Sequence, residues 1–266
     1  MVRPGATDVK YIPRALERID KIREKLGERP ALFLDFDGTL APLADNPSRV
    51  RMPQSTRTAL RALVQKIPVA VISGRSAIDV RDMVGLSGVI YSGSHGQEIN
   101  FPDNTRFEYP ESVEHVGALD KADRLLTEEL EDLEGVRVER KPFALAVYTR
   151  FAQTDEARDI ARKAAESVGG STGLRIQATT DVLELRPPVD WDKGKAITYL
   201  LGFLKGGTPL FIADDDADED GFVEARRRGG VSIVVEKSND RLSTADYRLM
   251  DTYETTSFLN RFNQVL

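Results

Sequence analysis

The chain of 266 residues contains no cysteine. That absence excludes a disulfide framework and any thiolate metal site, and it favours an intracellular setting. A basic excess is absent too. The net charge is −6, which argues against a general nucleic-acid binder. An anionic substrate would therefore have to meet a local positive site. No apolar run approaches the roughly 20 residues of a membrane-crossing helix. The stretch "MVRPGATDVKYIPR" lacks the apolar centre of a secretory signal. No internal repeat or low-complexity tract stands out. These absences leave the expectation of a cytoplasmic protein with no membrane and no nucleic-acid partner, and a monomer is expected. Its 41% hydrophobic share is enough for one large domain or two unequal ones.

Short apolar runs are present, and they end in polar residues capable of chemistry. "ALFL" leads into Asp35, "VAVI" (69–72) into Ser73-Gly74-Arg75, "GVIY" (88–91) into Ser92-Gly93-Ser94-His95-Gly96, and "LFIA" (210–213) into Asp214-Asp215-Asp216. A fifth run spans 231–235. Near-continuous apolar strands predict a sheet buried on both faces, hence parallel and covered by helices. Helical spacing at Leu60, Leu63, Val64 and Ile67, and in "SAIDVRDMVGL" and "DKGKAITYLLGFLK", supplies the connections. Alternation of this kind predicts an α/β doubly wound fold, whose ligands bind beyond the carboxyl ends of the strands. The middle of the chain reads differently, as helix, strand, strand, helix, strand, strand. We therefore expect a parallel-sheet core over 1–108 and 188–266, with an inserted α+β cap (αββαββ) over 109–187. "DVKYIPRALERIDKIREKL" (8–26) is an additional helix candidate with Pro13 near its start, and one long helix is expected over 112–133.

Asp35 and Asp37 sit at a strand's end, and a second acidic cluster, Asp214 to Asp216 with Asp218, Glu219 and Asp220, ends another. Paired carboxylates share a proton or bind a hard cation. If both strands are central and parallel the clusters converge, and that much negative charge predicts a cation. Mg²⁺ accepts few carboxylates and binds substrate phosphate, so it in turn predicts a phosphoryl group. Ser73 can donate to a phosphate oxygen, and Lys193 opens a helix with a compact charge suited to the same task. Gly38 and Gly194 would let backbone N–H groups approach an anion. Each feature alone has an ordinary explanation. Asp-Gly is a common turn pair and Thr a common cap, Ser-Gly-Arg is mostly loop, and an acidic run often opens a helix. Their order on successive strand ends is what argues for chemistry.

The set Asp35-x-Asp37-Gly-Thr, Ser73, Lys193 and Asp214-Asp215 resembles the haloacid dehalogenase superfamily of phosphotransferases, and the insertion looks like its larger α/β cap. "ISGRSAIDVRDMVGL", "YSGSHGQEI", Glu139-Arg140-Lys141 with Arg150 after them, "LELRP" around Glu184 and "DKG" narrow the resemblance to trehalose-6-phosphate phosphatases. It covers roughly residues 30–260. Two departures stand out: Ala213 and Ala217 replace the Gly and Thr of the family's acidic motif, and Tyr148-Thr149-Arg150 replaces its His-Tyr-Arg. The resemblance implies Mg²⁺-dependent hydrolysis of a small sugar phosphate. Asp35 would be the nucleophile and form an aspartyl phosphate, and Asp37 the acid and base. Ser73 and Lys193 would hold the phosphoryl oxygens. The ion would lie on Asp35, the Asp37 carbonyl and Asp214, with Asp218 orienting Lys193 or a metal-bound water. Gly74, Arg75 and His95 on core loops, and Glu139, Lys141, Arg150 and Glu184 in the cap, would meet the sugar. For Glu184, between Leu183 and Leu185, exposed strand polarity is the rival. The alternatives within the class are glucosylglycerol phosphate, sucrose phosphate or mannosylglycerate phosphate as substrate. Outside it stands a non-hydrolytic phospho-acceptor module.

Overall fold

The structure, a computed structural model, describes residues 12–44, 46, 49–178, 181–236 and 242–266. Contacts divide the chain into two units, one of residues up to Arg106 with Trp191–Leu266, the other Phe107–Asp190. In chain order the elements run α1 (Ile19–Leu26), β1 (Pro30–Leu34), α2 (Gln54–Val64), β2 (Val69–Ile72), α3 (Ala77–Val84), β3 (Ile90–Gly93), β4 (Glu98–Asn100) and β5 (Arg106–Glu108). Then come α4 (Pro110–Val113), α5 (Val116–Leu130), β6 (Arg137–Lys141), β7 (Ala144–Tyr148), α6 (Asp155–Thr172), β8 (Arg175–Ala178) and β9 (Val182–Arg186). The chain closes with α7 (Lys193–Phe203), β10 (Thr208–Ala213), α8 (Glu219–Arg227), β11 (Val231–Val235), β12 (Tyr247–Leu249) and α9 (Thr252–Val265). None of the described helices is long and apolar enough to cross a membrane.

The larger unit is organised by a sheet of order β12-β11-β10-β1-β2-β3-β4-β5. Neighbours from β12 to β3 pair in parallel, and β4 turns back antiparallel on β3. Every residue of β1, β2 and β11 is buried, as the unbroken apolar runs require of strands covered on both faces. Strand β1 lies between β10 and β2, in register Leu34 to Ile212 and Leu34 to Val71. Asp35, Ser73 and Asp214 each stand one residue past the ends of these three strands. Adjacent strands lie about 4.8 Å apart, so this register alone brings three polar positions to one edge.

Local chemistry sets the ends of the helices. Ser76 caps α3 by accepting from the Asp79 N–H at 3.1 Å, and Gly85 ends it in the left-handed region. Asp192 caps α7 by accepting from the Lys195 N–H at 2.8 Å, which places Lys193 on the first turn. Asp251 caps α9, a helix outside the expected set, through the Glu254 N–H.

Two expected helices are corrected. The single helix over 112–133 is divided into α4 and α5 at His115, whose φ −96 and ψ 0 leave the helical region. Its ring Nδ1 lies 2.9 Å from the Glu111 carbonyl oxygen. The candidate helix over 8–26 begins only at Ile19, after a short turn at 15–17; its residues before Ile12 lie outside the described residues. Helix α1 itself is built into the core. Ile19, Ile22 and Leu26 share an apolar cluster with Phe258 and Phe262 of α9, and the Arg248 N–H donates to the Pro13 carbonyl.

The smaller unit is a sheet of order β6-β7-β9-β8, antiparallel throughout. Leu145, Val147, Leu183 and Leu185 form its core with Leu119 and Leu126 of α5 and Ala161 and Ala165 of α6. Alternation along the strands turns the polar residues to the other face.

Candidate active site

Asp35, Asp214 and Asp218 present carboxylate oxygens that all lie within 4.8 Å of one another. Three segments bring them there. Asp35 follows β1, Asp214 follows β10, and Asp218 ends the turn before α8. That turn is a capping box. Asp218 accepts from the Asp215 N–H at 3.0 Å, and Asp215 accepts from the Ala217 N–H at 3.3 Å. The turn forms without a hydroxyl at Ala217. Of the acidic run only Asp214 and Asp218 turn inward, whereas Asp215, Asp216 and Asp220 are exposed. Glu219 accepts from the Thr244 N–H at 2.8 Å instead.

Lys193 reaches into this cluster from the first turn of α7. Its Nζ donates to Asp35 Oδ1 at 2.7 Å and also pairs with Asp218. Both ions of the first pair are buried. Lys193 brings one positive charge to three carboxylates, and the titration behaviour reflects that imbalance. The Asp35 carboxyl is pushed up to about 7: burial raises it most, Lys193 pulls it back, and Asp218 and Asp37 add to the rise. Asp214 is pushed up to about 9, by burial first and then by Asp35 and Asp218. Burial disfavours the charge on Lys193, but Asp218 and Asp35 outweigh it and the pKa is raised.

These shifts make a stability prediction. A carboxylate whose folded pKa is raised keeps its proton in the native state after the unfolded chain has lost it, so stability falls as pH rises through that window. In EDTA the window opens near the ordinary value of 3.8 and closes at about 9. The melting temperature measured in EDTA should therefore drop steadily from pH 6 to pH 9. Added Mg²⁺ should raise it more at pH 9 than at pH 6, since a cation binds the deprotonated ligands. A flat or rising profile in EDTA would contradict the charge assignment.

Glycine is required at the start of this loop. Gly38 has φ +77, and a Cβ there would lie 2.0 Å from Asp214 Oδ2. Its N–H donates to the Ala41 carbonyl at 2.8 Å, and the missing side chain makes room for Asp214. At Gly194 a Cβ would stand 2.6 Å from the Asp220 carbonyl oxygen, so close approach of α7 to α8 accounts for it. Thr39, the last residue of the Asp-x-Asp-Gly-Thr motif, donates from its hydroxyl to Asp214 Oδ1 at 3.3 Å.

Asp37 is not part of the carboxylate cluster. Both its oxygens are held by Arg75, Nε to Oδ2 at 2.7 Å and Nη2 to Oδ1 at 2.6 Å. Ser73 is buried and its Oγ accepts from the Arg75 N–H at 3.1 Å. The loop after β3 clasps the same segment. The Ser94 N–H donates to the Arg75 carbonyl at 2.7 Å and the His95 N–H to the Ser73 carbonyl at 2.9 Å. Ser94, His95 and Gly96 all have positive φ, at 50, 57 and 102, a tight left-handed run that needs outside support. Glu98, which sequence reasoning missed, provides some of it. Its buried Oε1 accepts from the Ser94 hydroxyl at 3.0 Å and from the Ala77 N–H at 3.1 Å. A Cβ on Gly74 would come within 2.9 Å of His95 Nε2, so the glycine leaves space for the imidazole.

In the smaller unit the register sets Glu139, Ala146, Glu184 and Gln177 in one cross-strand row, and it pairs Lys141 with Ala144 and Arg186 with Arg175. Lys141 Nζ donates to Glu184 Oε1 at 2.9 Å, and Arg186 pairs with the other oxygen. Glu184 is buried, at 8% exposure, which overturns the rival view of it as solvated strand polarity. Burial disfavours the Lys141 charge, but Glu184 outweighs it and the pKa is raised. Arg186, two residues from Glu184 and hence on the same face, is legible from the period of two, although nothing in the motif pattern singles it out. Arg150 stands apart from this group, past the end of β7, half exposed and 3.9 Å from Asp181.

Comparison with known proteins shows the family. Residues 33–253 match the trehalose-phosphatase family. A Mycobacterium marinum trehalose-phosphate phosphatase is 34% identical over 98% of this chain and 68% of its own length. A Mycobacterium tuberculosis protein named an uncharacterized glycosyl hydrolase is 38% identical over 98% of this chain, which spans only 20% of that protein. Among solved structures, the C-terminal domain of a C. albicans trehalose-6-phosphate phosphatase superposes with a TM-score of 0.80 at 18% identity, covering 96% of this chain and all of that one.

Proposed function

Because the chain belongs to the trehalose-phosphatase family, we propose that it hydrolyses trehalose 6-phosphate to trehalose and inorganic phosphate. The observation that carries the reading is the buried group of Asp35, Asp214 and Asp218 against Lys193, with Asp37 two residues from Asp35. The donor set fits Mg²⁺: hard carboxylate oxygens, more negative charge than one ammonium offsets, and a raised Asp214 that a cation would bring down. Asp35 and Asp214, with the Asp37 carbonyl, would hold the ion, Asp218 serving it through Lys193 or a bound water. When bound it supplies positive charge beside the phosphoryl oxygens.

The chain's own residues divide the remaining work. An Asp35 oxygen attacks phosphorus, and the bond from phosphorus to the sugar oxygen breaks. Lys193 is tethered by two carboxylates, so its charge is in place before the phosphoryl group arrives, as is the Ser73 hydroxyl. The leaving sugar oxygen takes a proton from Asp37. A water then gives its proton to Asp37 as it attacks the aspartyl phosphate, releasing phosphate and restoring Asp35. The polar face of the smaller unit, with Glu139, Lys141, Glu184 and Arg186, selects the sugar: its carboxylates accept from hydroxyls and its cations donate to them.

Phosphate release from a panel of sugar phosphates tests this reading. With Mg²⁺, trehalose 6-phosphate should turn over fastest, and EDTA should stop it. Glu184→Gln should raise KM about tenfold for trehalose 6-phosphate and leave Asp35 chemistry intact, as expected when a substrate contact is lost. Faster release from sucrose phosphate would move the substrate assignment, and release from nothing would defeat the reading as an enzyme.

A further inference from the structure

We propose that Arg75 is a positioning residue for the acid/base carboxylate of Asp37, a role that rests on the phosphatase reading above. Asp37 is 29% exposed in its side chain, and nothing in a short carboxylate's own torsions fixes it toward a leaving group. The guanidinium supplies that constraint. Its Nε and Nη2 take Oδ2 and Oδ1 at 2.7 and 2.6 Å, the parallel fork that sets both the position and the plane of the carboxylate.

Arg75 can do this because it is itself held. Its N–H donates to Ser73 Oγ at 3.1 Å and its carbonyl accepts the Ser94 N–H at 2.7 Å. Its guanidinium carbon lies 5.8 Å from the ring centroid of Phe36, which is wholly buried between the two motif aspartates. Arg75 thus ties the segment bearing Ser73 to the segment bearing Asp35 and Asp37. A lysine, being a point charge, cannot hold both oxygens.

The test is a double-mutant cycle on the full chain with Mg²⁺, using Arg75→Lys, Asp37→Asn and the double variant, each checked by thermal melting. Arg75→Lys should lower kcat on trehalose 6-phosphate about 10- to 100-fold with KM within about threefold, and should cost less than about threefold when added to Asp37→Asn. Aryl phosphates, whose leaving group needs no proton, should form the phosphoenzyme at close to the wild-type rate. Full additivity, or a loss confined to KM, would overturn the proposal and make Arg75 a direct phosphate ligand. If the lysine variant does not fold, Arg75→Gln, planar and neutral, decides the same cycle. A wild-type chain without activity fails the phosphatase reading, whereas additivity in an active chain fails only this one.

Discussion

Asp35→Asn is expected to lose about 10⁴-fold or more of kcat, the scale seen when a nucleophile is removed from a working catalytic group. The amide is nearly the same size and fits the same space beyond β1, but it cannot form the acyl phosphate. The fold should survive and even gain. Asp35 is buried and its carboxyl is pushed up to about 7, so ionising it there works against the native state at pH 8. A neutral amide removes that opposition, and Lys193 keeps Asp218 as a partner. In EDTA at pH 8 the variant should therefore melt at or above the wild-type temperature while showing no phosphoenzyme after rapid quench. Turnover within tenfold of wild type would remove Asp35 as the nucleophile. A melting temperature well below wild type would mean that lost activity reports a damaged fold.

Lys193→Met should fail in the opposite way. Methionine matches the aliphatic stem and deletes the charge, leaving Asp35, Asp214 and Asp218 within 4.8 Å of one another without their ammonium. Breaking a buried pair by removing one partner costs about 3 to 5 kcal/mol. Lys193 is only 3% exposed, so little solvent screening reduces that figure. The melting temperature in EDTA should fall sharply, and Mg²⁺ should recover more of it than it adds to the wild type, because the cation then supplies the missing charge. Activity with Mg²⁺ should remain about 10² to 10³-fold down, the loss typical of one removed oxyanion contact. An unchanged melting temperature in EDTA would show that the carboxylates do not depend on Lys193.

These two residues also mark how much of the site is legible in the amino-acid order. Asp35, Ser73 and Asp214 come directly after apolar runs, and an apolar run that ends abruptly in a polar residue reads as a strand carrying its functional group past the sheet edge. Lys193 is legible as the opening of a helix. Glu98 gives no comparable signal. Its partners, the Ser94 hydroxyl and the Ala77 N–H, lie on separate segments, so nothing local marks it as a brace. Strand β12 escapes for a related reason. "YRL" has no unbroken apolar run, and its pairing with β11 becomes apparent only in the assembled sheet.

Amino-acid order alone determined the parallel core, the inserted unit and the acidic strand ends, because burial on two faces demands continuous apolar strands and strand ends must carry what the ligand meets. Tertiary structure decided which carboxylates converge. Asp214 and Asp218 turn inward while Asp215 and Asp216 stay in solvent, a choice made by the capping box before α8. It also decided that Asp37 is gripped by Arg75, 38 residues away, and that Gly38 serves to admit Asp214. The reason is the same in each case: a backbone turn and a cross-strand neighbour fix where a side chain points, and neither is written in the spacing of the residues themselves.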